Sequence, residues 1–429
     1  MKNILLIFFF LFTICKLNAK ESLSFYLNKA LENNLELNAE RKNFDSAKQN
    51  KNISRSEFLP SITISGDQTS TTSSNRTDQN GSSLTDTNLD SESKKISIEQ
   101  KIFSGFKGLN TFKKSDLETQ KAYLELKEKE QKTILDTAFA YYDLIYKTKN
   151  ERVNISNVNL FERQVEYDNA RVQKGEVSLT DLAQSESSLA GANANLIKAK
   201  TELLSSISNF ERVTRESAPN IENLNGKEIL SLPSSLNSAQ EISNLNNINL
   251  LISKLNFEIS KRELNIERSR FSPTASIEVS KTENSDFSST VDEKDEEKVK
   301  ATITWPIIKG GENISAIKKS TFNKQRYQLL LEDTKNKISI DTSNSWSKYQ
   351  SSKSVLEATM AQLKAAEIAN EGITLEYDSG NTRTTLEVIQ SRSLLFEARI
   401  AFAKAERDFM ISQFELAKQI GTLSKNSLK

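Results

Sequence analysis

The chain of 429 residues contains no histidine and a single cysteine, Cys15. Those two absences exclude histidine-based triads, thiol nucleophiles and the usual zinc sites together. No catalytic residue, metal ligand or cofactor-binding residue is expected, and an enzyme is the weakest reading. Carboxylate-only or lysine-based chemistry stays open, but no constellation points to it. Glycine and proline are scarce, at 12 and 5. An apolar share of 36% and a charged share of 27% suit long helices with narrow apolar stripes better than a broad globular core. A field of one charge sign is missing too. Lys and Arg number 58 against 57 Asp and Glu, so nothing suggests a nucleic-acid partner.

Residues 1–19 read as a secretory signal. Lys2 supplies the positive start, 4–15 is an apolar run too short to span a bilayer, and Ala19 is a plausible residue before cleavage. A lipoprotein signal ending at Cys15 would want a small residue before the cysteine, and Ile14 is not small. Removing 1–19, with Lys2 and Lys16, takes the formal charge from +1 to −1 and leaves no cysteine. An exported chain without disulfides draws its stability from long packed helices or from assembly.

What is present is length without interruption. Residues 109–174 hold no Gly or Pro for 66 positions, and Gly175 ends the run. A second such run, 312–371, continues to Tyr377 and turns at Ser379-Gly380. As helix the first would be about 100 Å long, far more than a compact core can cover, so it must enter a coiled coil, a solenoid or a duct. Its spaced apolar positions, Ile134, Ala138, Tyr141, Ile145, Phe161 and Val165, are separated by Lys, Glu and Gln, as on a helix that buries one stripe.

Around each rod the same order recurs. A helix over 20–56, with a break expected near Asn33-Asn34, stops at Pro60. Alternation of period two follows in 61–65, then a polar loop over 72–92, then alternation again at Ile96, Ile98 and Ile102. Gly105 and Gly108 precede the rod, and a return helix starts at Thr180-Asp181 and runs to about Arg215. After Pro219, Gly226 and Pro233 come a helix over 239–269, Pro273, a strand at Ala275, Ile277 and Val279, an acidic loop over 283–297, and a strand at 299–307. Gly310-Gly311, the second rod and a return helix over 384–420 complete the copy. Arg55-Ser-Glu-Phe-Leu-Pro60 matches Arg268-Ser-Arg-Phe-Ser-Pro273, 213 positions on, which marks an internal duplication. The repeats are placed at 20–217 and 238–424, with a linker at 218–237 and a tail at 425–429.

Strands of about nine to eleven residues with alternating polarity have the length a tilted strand needs to cross an outer membrane. The odd positions of 299–307 are all apolar, and Trp305 near one end fits an interfacial aromatic girdle. Four strands cannot close a barrel, and open edges cannot sit in lipid. The barrel must be shared between chains, and because eight strands leave an interior filled by side chains, geometry favours three chains or more.

These residues resemble the TolC family of outer-membrane efflux and secretion channels, over about 21–423. The resemblance is carried by Phe58-Leu-Pro60 before the first strand, Ile102-Phe-Ser-Gly105 after the second and Thr137-Ala-Phe-Ala-Tyr-Tyr142-Asp-Leu in the rod. It continues in Gly175 with Thr180-Asp181-Leu182, in Tyr377-Asp-Ser-Gly380 with Thr382-Arg383-Thr384, and in Trp305-Pro-Ile-Ile-Lys-Gly310-Gly311. The resemblance implies a mainly α fold with membrane strands: a homotrimer with a twelve-stranded barrel in the outer membrane and a long α-helical barrel in the periplasm. It implies partners, namely a periplasmic adaptor and an inner-membrane pump of the proton-driven or ATP-binding class. It also implies site residues. The periplasmic gate would comprise Thr180, Asp181, Tyr377 and Arg383, and the constriction ring Glu387 and Gln390. The adaptor-contacting tips would be Lys174, Gly175 and Glu176 with Ser379, Gly380 and Asn381.

Two departures from the family pattern stand out. Gln390 replaces an acid, so a trimer's ring carries three charges instead of six. One extra residue between Gly380 and Glu387 shifts the register of Arg383. The expectation is a passive exit duct for small molecules in a tripartite export system. Type I protein secretion is the alternative, and a structural coiled-coil surface protein the remote one.

Overall fold

The structure, a computed structural model, describes residues 22–219, 230–288, 290–379 and 383–427. The expected signal at 1–19, the tip residues Gly380 and Asn381, and positions 220–229 of the linker lie outside the described residues. The order is α1 (Leu23–Asn33), α2 (Leu35–Arg55), β1 (Ser61–Ser73), β2 (Thr87–Ser104), α3 (Lys107–Gln173) and α4 (Leu179–Thr214). It is then repeated as α5 (Leu236–Asn246), α6 (Ile248–Arg268), β3 (Thr274–Ser285), β4 (Lys294–Thr304), α7 (Glu312–Asp378) and α8 (Thr385–Gln419). The copies agree closely: 11 and 21 residues for the first helix pair in each, and 67 for each long helix. No helix among the described residues is long and apolar enough to cross a membrane.

Two expectations change. The helix expected over 239–269 is two helices, broken at Asn247, whose extended backbone (ψ 120°) matches that of Asn34 (ψ 118°) in the first copy. Both breaks fall on an Asn-Asn pair, whose side chains compete with the helix for backbone partners. Asn34 accepts from the Leu37 N–H at 3.0 Å, and Asn247 donates to the Gln419 carbonyl at 2.7 Å. Three strands are also longer than alternation suggested, at 13, 18 and 12 residues, and the fourth has the expected 11 but spans Lys294–Thr304 instead of 299–307. Much of the polar stretch read as loop over 72–92 pairs instead, with Thr69 opposite Ser91 and Ser73 opposite Thr87. Backbone pairing does not require apolar side chains, and the threonines there favour extended chain.

The chain divides into two compact units. One comprises Ala39–Glu128 and Ile248–Ile338 and holds all four strands in a single antiparallel sheet of order β1-β2-β3-β4. Beside the sheet, Lys51 reaches Asp116 at 2.5 Å and Lys114 reaches Glu263 at 2.9 Å, tying α2 and α6 to α3. The other unit comprises Met1–Asn38, Lys129–Asn247 and Ser339–Lys429. Its main core gathers Leu23 and Tyr26 of α1, Ile134, Tyr141 and Leu144 of α3, Phe210 of α4 and Phe414 of α8. Tyr26 and Phe210 meet edge to face at 4.9 Å, the geometry aromatic quadrupoles prefer. A second cluster sets Ala239 of α5 against Leu416 and Ile420. Gly421 ends α8 with φ +77°, and a Cβ there would fall 2.2 Å from the Asn246 carbonyl oxygen. Only glycine fits both the left-handed conformation and that close approach.

Candidate functional site: the membrane sheet and the helix tips

Register decides which side chains share a face of the sheet. Ile62 lies opposite Ile98, Ile98 opposite Val279, and Val279 opposite Val299, so one apolar row crosses all four strands. Ile64 and Ile96 lie on one side of that row, and Ile277, Ala301 and Ile303 on the other, all on the same face. The face is open: Ile64, Val299 and Ile303 are 79%, 75% and 78% exposed. The opposite face carries Thr63, Ser97, Ser280 and Thr302, with Lys95 donating to Glu278 at 2.7 Å. An apolar face beside a polar one is what a wall between lipid and a watery lumen requires.

At the helix end of the strands, Phe58, Phe103, Phe106, Phe271 and Trp305 are all exposed, in keeping with an interfacial girdle. Trp305 follows the last strand residue, and its indole N–H donates to the Phe271 carbonyl at 3.0 Å. The outer strands β1 and β4 each keep one unpaired edge.

The helix tips form by local capping chemistry. α3 ends in a left-handed turn with Gly175 at φ +75°, where Glu176 N–H donates to the Arg171 carbonyl and Gly175 N–H to that of Val172, both at 2.9 Å. Lys174, Gly175 and Glu176 are exposed, and the Glu176 carboxylate accepts from Arg171 at 3.2 Å. Each return helix opens with a capping box: Ser178 with Asp181, and Thr384 with Glu387. The connecting segments are 174–178 and 379–384, so the second is one residue longer than the first.

The predicted gate residues do not all meet. Thr180 is exposed. Asp181 accepts from the Ser178 hydroxyl at 2.7 Å and its N–H at 3.0 Å, and these bonds hold the carboxyl below its ordinary range. Arg383 donates to Glu376 at 2.6 Å and to Glu387 at 3.0 Å. Within one chain, then, Arg383 and Asp181 are engaged elsewhere. Glu387 accepts from the Thr384 N–H at 2.8 Å, and this bond, followed by the Arg383 contact, lowers its pKa. Gln390 and Ser379 are exposed.

Tyr377 is the predicted gate residue with a buried role. It is 5% exposed, and its hydroxyl donates to Asp168 at 3.1 Å, accepts from Arg171 at 2.8 Å and meets the Thr385 hydroxyl at 3.1 Å. Burial raises its pKa, and the Thr385 bond opposes that rise. Asp168 is fully buried, and both of its carboxylate oxygens accept from the Gln164 amide nitrogen, at 3.0 Å each, with Ser185 donating at 2.5 Å. Gln164 in turn accepts from Arg392 at 2.8 Å, a guanidinium whose pKa burial lowers against the pull of Asp378, Tyr377 and Asp168. Gln164, Asp168, Arg171, Ser185 and Arg392 were not singled out from sequence. The signal was there: Gln164 and Asp168 continue the buried stripe of Phe161 at steps of three and four.

The family model described as outer membrane efflux protein matches residues 26–213 and 242–422, once in each copy. The outer membrane efflux protein BepC of Brucella suis is 23% identical over 413 residues, covering 95% of this chain and 87% of that protein. The outer membrane protein TolC of Escherichia coli is 23% identical over 428 residues, covering 96% of this chain and 84% of that one. Among solved structures, the CmeC outer membrane channel of Campylobacter jejuni superposes with a TM-score of 0.81 at 16% identity, covering 94% and 86% of the two chains. The open state of the MtrE outer membrane channel of Neisseria gonorrhoeae superposes at 0.77 with 15% identity, covering 94% and 90%. With both copies matched, on a duplicated frame of long helices and one membrane sheet, the chain belongs to the outer membrane efflux protein family: it is an outer-membrane channel that extends into the periplasm, and not an enzyme.

Proposed function

We propose that the chain is the exit duct of a tripartite export system. It assembles as a homotrimer and passes small molecules from an inner-membrane pump and a periplasmic adaptor through the outer membrane. The observation that carries this reading is the four-stranded sheet with an open apolar face and two unpaired edges. Unpaired strand edges are not stable in lipid, so β4 of one copy must pair with β1 of the next. Three copies give twelve strands, enough for a lumen that eight would fill with side chains. Small-molecule efflux rather than protein secretion is favoured by the described role of BepC as an efflux protein. Within this reading 20–217 and 238–424 are the repeats, 218–237 the linker, and 425–429 the tail.

Thr180, Asp181, Tyr377 and Arg383 form the periplasmic gate region. Glu387 and Gln390 line the constriction, and the tips around Gly175 and Ser379 meet the adaptor. A bond between Arg383 and Asp181 of neighbouring copies has to displace the local partners each already holds. The charged Lys174-Gly175-Glu176 tip sets which adaptor surface fits. The test is assembly and conductance together: size in detergent by light scattering, and single-channel recording in planar bilayers. A conducting trimer is expected. Folded protein that stays monomeric in detergent and never conducts would sink the reading.

A further inference from the structure

A loop at the far end of the sheet carries a signal unrelated to conduction. Asn followed two places later by Ser or Thr, with no proline between, is the acceptor pattern for an oligosaccharide on the asparagine amide. The chain holds that pattern at Asn52, Asn75, Asn80, Asn154 and Asn313. Structure removes three of them. Asn52, Asn154 and Asn313 lie within α2, α3 and α7. Successive helical residues turn by about 100°, so the amide and the hydroxyl two places on leave opposite sides of the helix. Burial adds to this. Asn154 and Asn313 are 3% and 5% exposed, and Ser54 beyond Asn52 is buried and donates to the Lys51 carbonyl at 2.7 Å.

The other two share the loop 74–86 between β1 and β2, at the end of the sheet away from α2 and α3. Asn75 is held in a left-handed conformation at φ +56°, its N–H donates to Asp86 at 3.1 Å, and Thr77 is drawn into a bridge with Ser83. Beyond that bridge the chain turns at 78–82, with Asn80 at the apex. The Asp78 carboxylate builds the turn, accepting from the Asn80 N–H at 2.9 Å and the Ser82 N–H at 2.7 Å. Gly81 follows at φ +82° with open space beside it. Asn80, Gly81 and Ser82 are exposed, and no hydrogen bond among the described residues engages the Asn80 carboxamide or the Ser82 hydroxyl. Both groups that the pattern needs therefore stand free at a loop tip, where an enzyme's groove can take them in. Asn80 alone also has an acid two places before it. Ser73 holds that place for Asn75, and Asn50, Arg152 and Gly311 hold it for the others. Asp78 thus adds a charge by which a basic groove selects this site.

We propose that Asn80 is an N-glycosylation site, modified by a periplasmic oligosaccharyltransferase that draws on a lipid-pyrophosphate-linked oligosaccharide. The Asn80 Nδ2 bonds to the anomeric carbon of the donor sugar, and the bond from that carbon to the pyrophosphate oxygen breaks. The lipid pyrophosphate leaves with the electron pair, and the proton released from Nδ2 goes to solvent. Nothing is oxidised or reduced. The chain crosses the periplasm on its way to the outer membrane, so the loop meets the enzyme before the sheet is inserted. Once inserted, the glycan lies on the side of the membrane away from the helices, clear of the periplasmic tips. The inference rests on the sheet crossing the outer membrane and is independent of what the duct carries.

The experiment takes the protein from the outer membrane of its own cell and reads the tryptic peptide 77–94, bounded by Arg76 and Lys94, by mass spectrometry. The expected result is an oligosaccharide on Asn80 in most copies and none on Asn52, Asn75, Asn154 or Asn313. In the same cell Asn80→Gln and Ser82→Ala should lose it entirely. Asp78→Asn keeps an acceptor oxygen for the turn but removes the charge, and should lower occupancy several-fold. Asn80→Gln is expected to keep the oligomer size and conductance of the wild type. Asn80 free of sugar in the native membrane, whether intact or deamidated at Asn80-Gly81, would overturn the site. So would a glycan on Asn75 in place of Asn80, or occupancy that survives Ser82→Ala. A glycan on Asn80 in protein that never conducts would uphold the site while the duct reading falls.

Discussion

The two hairpins of the duplicated chain, α3 with α4 and α7 with α8, share a backbone plan and divide its burial very differently. Both long helices have 67 residues, and the return helices have 36 and 35. Yet α3 buries Ile134, Ala138, Tyr141, Tyr142, Leu144 and Phe161, whereas Ile338 and Tyr377 are the only large apolar side chains that α7 buries. On α7, Phe322, Leu329, Ile340, Met360, Ile368 and Leu375 are all more than 60% exposed. Duplication kept lengths and turns, which are set by glycine, proline and caps. Side-chain patterns then diverged, so the first copy packs within the chain while α7 is left apolar and uncovered. In the proposed trimer that open surface is the one expected to meet a neighbouring copy, much as the free edges of β1 and β4 are expected to meet another sheet.

The sharpest way to break this comparison is to remove apolar mass from each side of it. Phe210→Ala, at a fully buried position facing Tyr26, is expected to destabilise the fold by about 3–5 kcal/mol in denaturant unfolding. Leu329→Ser and Ile368→Ser on α7 should leave helix content intact and instead shift the oligomer toward monomer in detergent. Equal loss of fold in both sets would mean that α7 is packed as α3 is.

A smaller contrast concerns the two helix breaks. Asn247 is 4% exposed and makes the shorter of the two bonds to the Gln419 carbonyl, the other coming from the Ser243 hydroxyl at 3.4 Å, so Asn247→Ala removes a buried amide bond and is expected to cost about 1–2 kcal/mol. Asn34→Ala removes a half-buried cap and should cost about 1 kcal/mol. Thermal unfolding of the two variants side by side checks the order, and a reversed order would show that the break in the first copy carries the greater strain.

The smallest effect is the one the copies should share. Asp181 and Glu387 both sit at N3 of a capping box, and both carboxyls are held below their ordinary pKa by bonds from the cap residue. A lowered folded-state pKa stabilises the fold above the unfolded value and is lost as the pH falls through the folded one. The tips should therefore loosen below about pH 4 and not at neutral pH. Amide exchange at the two tips as a function of pH measures this. Asp181→Asn and Glu387→Gln should each flatten the dependence at its own tip only.

Much of this was legible from residue order alone. The absence of Gly and Pro between 109 and 174 sufficed for the first rod, and Pro60 and Pro273 for the helix-to-strand junctions, because these residues act on the backbone locally. The break at Asn247 was equally visible, since Asn246-Asn247 repeats the Asn33-Asn34 pair that was read correctly. The polar upper strands were not legible, because pairing above the apolar band leaves no periodic signature. At the tips, Tyr377 was identified but its partner was not. The resemblance pointed to residues near the turn, while the bonds run to Asp168, more than 200 positions away.

Sequence by itself determined the duplication, the element order, the lengths of the rods and the amphipathic strands, since each follows from local backbone preference and periodicity. Only the tertiary structure decided the strand register that gathers Ile62, Ile98, Val279 and Val299 into one row, the unequal burial of α3 and α7, and the convergence on Asp168. Those depend on which helices and strands become neighbours. A buried carboxylate's partners are chosen by that neighbourhood and not by its place in the chain.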